Sequence, residues 1–151
     1  MVPPLRVAGV VPLPAEMGGQ GELLVVAAFG GARLPTGDLL PNERILDGAA
    51  RIVQQVTGVR VTPERIVFFL ERVAREWVFG VLCSLNLSGD AAEDTRPGVR
   101  FHALADSTLS FDPPALRDLL VEDLRGGFVR PSAHLTIVTD DFGGETVSVA
   151  W

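Results

Sequence analysis

Hydrophobic and polar positions alternate or recur with distinct periods along the chain, and they predict an order of elements. Residues 6–13 form a short β-prone run closed by Pro12 and Pro14, and residues 16–21 read as a glycine-rich turn. Residues 22–29 are apolar at both parities, as expected of a strand covered on both faces. Gly30 and Gly31 interrupt that run, and Arg33-Leu34-Pro35 leads onward. From residue 44 to 57 the period changes. Ile45, Leu46, Ala49, Ala50, Val53 and Val56 make a helical stripe, with Arg44, Asp47, Arg51 and Gln54 opposite. Gly48 weakens this helix by about 1 kcal/mol relative to alanine, so packing must support it. Gly58 fits a left-handed C-terminal cap.

Pro63-Glu64-Arg65 predicts a turn, followed by strands at 66–72 and 76–87. In the second, Trp77, Phe79, Val81, Cys83 and Leu85 share one face of the pleat. A polar, acidic loop at 88–98 precedes a strand at 99–104. Asp112 suits an N-cap with Pro113 at the first helical position. That helix carries Leu116, Leu119, Leu120 and Leu124 on one face and ends near Gly126-Gly127. Runs at 133–139 and 146–151 flank residues 140–144 as a terminal hairpin. Two separated helices among strands of mixed direction predict an α/β fold, an α/β/α sandwich around a mixed sheet.

Composition narrows the classes. A chain of 151 residues, 47% hydrophobic, suits one domain over 1–151. Its net charge of −6 argues against binding a nucleic-acid backbone. All 13 basic residues are arginine. A single cysteine, Cys83, excludes an internal disulfide framework and sits in a strand pattern that suits a buried, inert thiol. No signal-like leader opens the sequence and no apolar run reaches the ~20 residues of a membrane span. The expectation is a soluble, cytoplasmic protein with neither membrane nor nucleic-acid partner.

The most informative stretch is 37–59. The spacing Gly37-x5-Glu43-x7-Arg51, closed by Gly58 and the bulky Val59, resembles the loop-helix-loop signature of the Nudix (MutT-like) hydrolases. That signature reads Gly-x5-Glu-x7-Arg-Glu-U-x-Glu-Glu-x-Gly-U, where U is bulky and apolar. Thr36-Gly37 stands where the family has a glycine pair. The resemblance covers residues 6 to about 125. It implies a Nudix-like core over about 6–127, with the hairpin at 133–151 as an addition. It also implies that Gly37, Glu43, Arg51 and Gly58 shape the loop and helix.

Members of that family hold divalent cations, usually magnesium, on glutamates of the signature helix and cleave nucleoside diphosphate derivatives. The three glutamate positions are Ile52, Gln55 and Val56 in this chain. Two of these offer no oxygen and one offers a neutral carbonyl, whereas a small hard cation requires converging anionic oxygens. The expectation is therefore a degenerate Nudix box without catalytic residues, metal or other cofactor: a pseudoenzyme that binds a nucleotide-like or other small ligand, or acts in regulation or interaction. Whether the chain is an enzyme is left open, with the chemistry against it. Candidate ligand contacts are Gln55, Arg51, Arg33 and Trp77. Arg44 could also attract an anion, and Phe29 and Phe68 could stack on a ring.

Two further readings compete. Ile52 and Val56 could extend an apolar face buried against another chain, as in a homodimer. Alternatively, relocated acids (Glu71, Glu76, or Asp90, Glu93 and Asp94 of the acidic loop) could restore magnesium- or manganese-dependent hydrolysis. His102 and His134 lack metal-ligand spacing.

Overall fold

The computed structural model describes residues 3–28, 30–86 and 96–151. Phe29, the expected strand end at 87, and the acidic-loop residues Asp90, Glu93 and Asp94 lie outside them. The elements run β1 (Leu5–Val10), β2 (Glu22–Ala28), β3 (Gly31–Arg33), β4 (Thr36–Asp38), α1 (Ile45–Thr57), β5 (Val61–Arg72) and β6 (Glu76–Leu85). Then follow β7 (Val99–Ala103), α2 (Pro114–Gly126), β8 (Ala133–Thr139) and β9 (Glu145–Ala150).

Six strands form a mixed sheet in the order β4-β1-β6-β5-β8-β9. β1 lies parallel to β6 and β5 parallel to β8, while the other neighbours are antiparallel. A second sheet has the order β3-β2-β7. α1 covers one face of the main sheet, where Ala49 and Val53 bury against Val11, Val59, Val61, Val81 and Cys83. α2 covers the other, where Leu116, Leu119 and Leu120 join Phe68, Leu70, Leu135 and Ile137 in a larger core. This is the α/β architecture that the pattern predicts. Among the described residues, no helix is long and apolar enough to cross a membrane.

α1 ends as its sequence dictates. Gly58 takes φ 80°, a left-handed conformation that only glycine adopts at little cost, and its N–H donates to the Gln54 carbonyl. The start of α2 departs from expectation by one residue. Pro113 is the N-cap and the helix begins at Pro114. The Asp112 carboxylate turns instead toward Arg72, with both oxygens 3.4 Å from Nη2. The Arg117 side chain then ties α2 to the preceding segment. Its Nε donates to the Leu104 carbonyl at 2.7 Å, and its terminal nitrogens donate to the carbonyls of Leu109 and Asp106.

Two other expectations are corrected. Pro63-Glu64-Arg65 is not a turn but part of the twelve-residue β5, whose pairing with β6 shifts register between Pro63 and Arg65. A bulge accommodates there a proline that a regular ladder would exclude. The segment after the Gly30 break also contains two three-residue strands, β3 and β4, of which β4 edges the main sheet. The hairpin at the end is present, and its first strand belongs to the core. Ala133, Leu135 and Ile137 are buried, whereas every residue of β9 is exposed.

Candidate functional site

The turn between β4 and α1 is held by one carboxylate. Glu43 accepts the Leu40 backbone N–H at 3.1 Å through Oε1, and both its oxygens receive the Arg51 fork, Nε at 2.8 Å and Nη2 at 2.9 Å. Arg51 Nη2 also donates to the Asp38 carbonyl at 2.8 Å, and Nη1 donates to Gln55 Oε1 at 2.9 Å. A planar guanidinium suits this task because its donors diverge in fixed directions. The Arg51 hydrogen bonds, followed by that from Leu40, hold the Glu43 carboxyl below the usual carboxylate range. The same pairing raises the Arg51 guanidinium.

Next to Arg51 on α1, Ile52 is only 5% exposed. Its Cδ1 occupies the place that a Cβ on Gly37 would take, so β4 and α1 touch through an absent side chain. Gly37 is required for this approach. Val56 is half-buried and Gln55 is exposed.

The opposite side of β4 borders a cavity of about 50 Å³. Its lining includes Arg6 from β1, Arg33 from β3, Thr36 from β4, Arg72 from β5, Glu76 from β6 and Asp112 before α2. Arg6 bridges Asp38 at 3.1 Å and Glu76 at 3.2 Å. Arg72 Nε is buried 3.5 Å from Glu76 Oε1, but it makes no hydrogen bond among the described residues. A buried donor left so is uncommon and marks a place where an acceptor would be welcome.

Comparison with solved structures places this arrangement among known folds. A Nudix hydrolase from Nitrosomonas europaea matches with a TM-score of 0.65 at 17% identity, over 91% of this chain and 79% of that one. An ADP-ribose pyrophosphatase from Streptococcus suis matches at 0.62 and 21% identity, over 92% of this chain and 100% of the other. A MutT protein from Bacillus halodurans matches at 0.67 and 10%, over 97% of each chain. The chain has the Nudix fold. No protein-family model matches the sequence, and no curated protein sequence does.

The Nudix fold brings with it the question of a helix-bound cation, and the donor set on α1 does not fit one. Ile52 fills its own site with hydrocarbon, Val56 has no donor atom, and the Gln55 carbonyl already accepts from Arg51. Among the described residues, no three His, Cys, Asp or Glu side chains converge on a common point. Glu71 and Glu76 do not supply one. Glu71 lies across from Trp77 and receives its indole N–H at 3.3 Å, whereas Glu76 lies across from Arg72 on the opposite face of the pleat. His102 contacts Asp106 at 2.8 Å and accepts from Arg100 Nε at 3.0 Å.

The four candidate ligand contacts fall in three places. Arg33 lines the cavity. Arg51 and Gln55 bond each other on α1, across the sheet from it. Trp77 stands on the face of β6 away from the cavity-lining Glu76 and Val78. Ile52, which the homodimer reading would turn toward a second chain together with Val56, is buried within its own chain, and Val56 is half-buried. Sequence reasoning missed Arg6, Arg72 and Asp112. Strand parity would have set Arg72 and Glu76 side by side, but only the parallel pairing of β1 with β6 adds Arg6.

Proposed function

We propose that this Nudix-fold protein binds an anionic, nucleotide-like ligand without hydrolysing it, using the cavity behind β4 rather than the face of α1. The observation that carries this reading is the Arg72 Nε donor, buried in a wall that also presents Arg6 and Arg33, 3.5 Å from Glu76 Oε1 and, among the described residues, without a hydrogen-bond acceptor. Three guanidiniums face two carboxylates, Glu76 and Asp112, in that lining. A phosphate group entering between them would complete the Arg72 fork and compete with the existing Arg6 and Arg72 ion pairs. At about 50 Å³ the cavity admits a phosphate-sized group and leaves a base or sugar outside. The loss of hydrolysis follows from the α1 donor set. Ile52, Gln55 and Val56 offer no anionic oxygen to a cation, and the Ile52 side chain is packed against Gly37.

The name of one similar structure, an ADP-ribose pyrophosphatase, makes nucleoside diphosphates the first ligands to try. Calorimetric titration with ADP, UDP and inorganic pyrophosphate should give saturable binding that Arg72→Ala and Arg33→Ala weaken at least tenfold. With magnesium or manganese present, no phosphate product should be released from ADP-ribose or UDP-sugars. A flat titration across the panel would sink the ligand assignment. Metal-dependent turnover would instead favour a divergent hydrolase with relocated acids, of which Asp90, Glu93 and Asp94 of the acidic loop are the candidates outside the described residues.

A further inference from the structure

We infer that the chain carries a second binding site, a cleft between the β1–β2 connection, the β5 bulge and the end of α2, which takes a small organic cation: an amine on an apolar body. The cleft shares no lining residue with the arginine-walled cavity, so the inference is independent of the ligand reading.

The cleft has a volume of about 360 Å³, within the range of small-molecule sites. Its apolar walls come from separate parts of the chain: Pro12 and Pro14 from the β1–β2 connection, Leu82 and Leu85 from β6, and Phe128 just after the α2 cap. Two carboxylates complete them, Glu16 from the short helical turn Ala15–Met17 and Glu64 from β5. Among the described residues no basic side chain lines the cleft, and neither glutamate enters an ion pair. The first cavity sets three guanidiniums against its two carboxylates, whereas here two carboxylates stand alone.

Two irregularities of the backbone shape this lining. Pro63 pairs with Cys83 and Arg65 with Leu82, so Glu64 is the extra residue of the bulge, with no opposite number on β6. A bulge re-aims the side chain it carries. Here that side chain is a carboxylate, and Leu82 and Cys83, the two residues it falls between, belong to the same lining. Phe128 holds φ 59°, a left-handed conformation that is costly for a bulky residue and persists only where its surroundings fix it. Its N–H donates to the Asp123 carbonyl at 2.8 Å, and its side chain serves both the core under α2 and the cleft. The field of Glu64 also reaches inward, adding to the burial that raises the Cys83 thiol to about 12. An apolar body would lie against Leu82, Leu85 and Phe128, with its ammonium donating charge-assisted hydrogen bonds to the two carboxylates. An anion would meet like charge, and a neutral molecule would leave both carboxylates unused.

Calorimetric titration with phenylbutylamine, phenylbutanol and phenylbutanoate tests the assignment, since the three share a body and differ in charge. The amine should bind saturably and roughly tenfold more tightly than the alcohol, with the acid weakest. Glu16→Gln with Glu64→Gln should bring the amine to the alcohol's affinity without lowering the melting temperature, because both positions are exposed. Ser84→Trp, at an exposed position of the lining, should block all three compounds. Arg72→Ala should leave amine binding unchanged, which separates this site from the arginine-walled cavity. No saturable binding of the amine, equal affinity for amine and acid, indifference to the substitutions in the cleft, or loss with Arg72→Ala would overturn the proposal.

Discussion

Ile52 and Gly37 interlock: the isoleucine Cδ1 sits where a Cβ on the glycine would be. The contact makes residue 52 part of the packing between α1 and β4. Gly37→Ala should therefore overpack the joint and cost about 1–3 kcal/mol. Combining it with Ile52→Ala should recover part of that loss, a coupling that urea unfolding of both single variants and the double would read. Additive losses would show that the two residues do not share the space.

Restoring acids to the helix tests the same joint from the other side. Ile52→Glu places a carboxylate in a site 5% exposed and should cost at least ~3 kcal/mol. Gln55→Glu, on an exposed position beside Arg51, should leave the melting temperature nearly unchanged. If Ile52→Glu folded as stably as the parent, and magnesium raised its melting point, the metal position would be open after all.

Arg51 should not be replaceable by lysine. One ammonium cannot serve Glu43, the Asp38 carbonyl and Gln55 together. Arg51→Lys should lower the melting temperature almost as far as Arg51→Ala. Glu43→Gln added to either should lower it little further, because the pair acts as a unit. Full retention of stability by the lysine variant would contradict the bracing role.

Acid sensitivity should centre in part on Asp106. The Thr108 hydroxyl at 2.7 Å, then His102 and the Thr108 backbone N–H, hold its carboxyl down from the usual 3.8 to about 2. Its folded pKa lies below its unfolded one. The stabilisation is therefore complete above about pH 4 and is lost as pH falls from about 4 toward 2. Melting temperature against pH should fall less steeply through that window in Asp106→Asn than in the parent. An identical acid limb in both proteins would refute the assignment.

Cys83 should behave as core. Burial, with a smaller contribution from Glu64, pushes its thiol up to about 12. Iodoacetamide at pH 8 should leave it unmodified in the folded protein and alkylate it in urea. Rapid labelling of the native chain would place the sulfur at the surface.

Much of the fold was readable because it is local. The α1 stripe, the Gly58 cap and the strand pair of the terminal hairpin each rest on residues within a turn or two of one another. Pro63 misled because a bulge, visible only in pairing, absorbs it. β4 escaped notice because three residues show no period. For the site, the signature marks Ile52, Gln55 and Val56 as the positions to look at on α1. It could not point to Arg6, which becomes a neighbour of Glu76 only through a strand order that joins residues 70 apart. Trp77 and Arg33 looked like partners in sequence, yet the sheet lies between them.

β4 has only three residues, but they give it two faces with different neighbours: Gly37 meets Ile52 behind, while Thr36 lines the cavity in front. Folding therefore fixes the rear of the cavity wall before any ligand arrives. An incoming phosphate would have less chain to immobilise, and the entropy lost on binding would fall mainly on the arginine side chains. The isoleucine at position 52 would, in that case, lend rigidity to the arginines across the sheet.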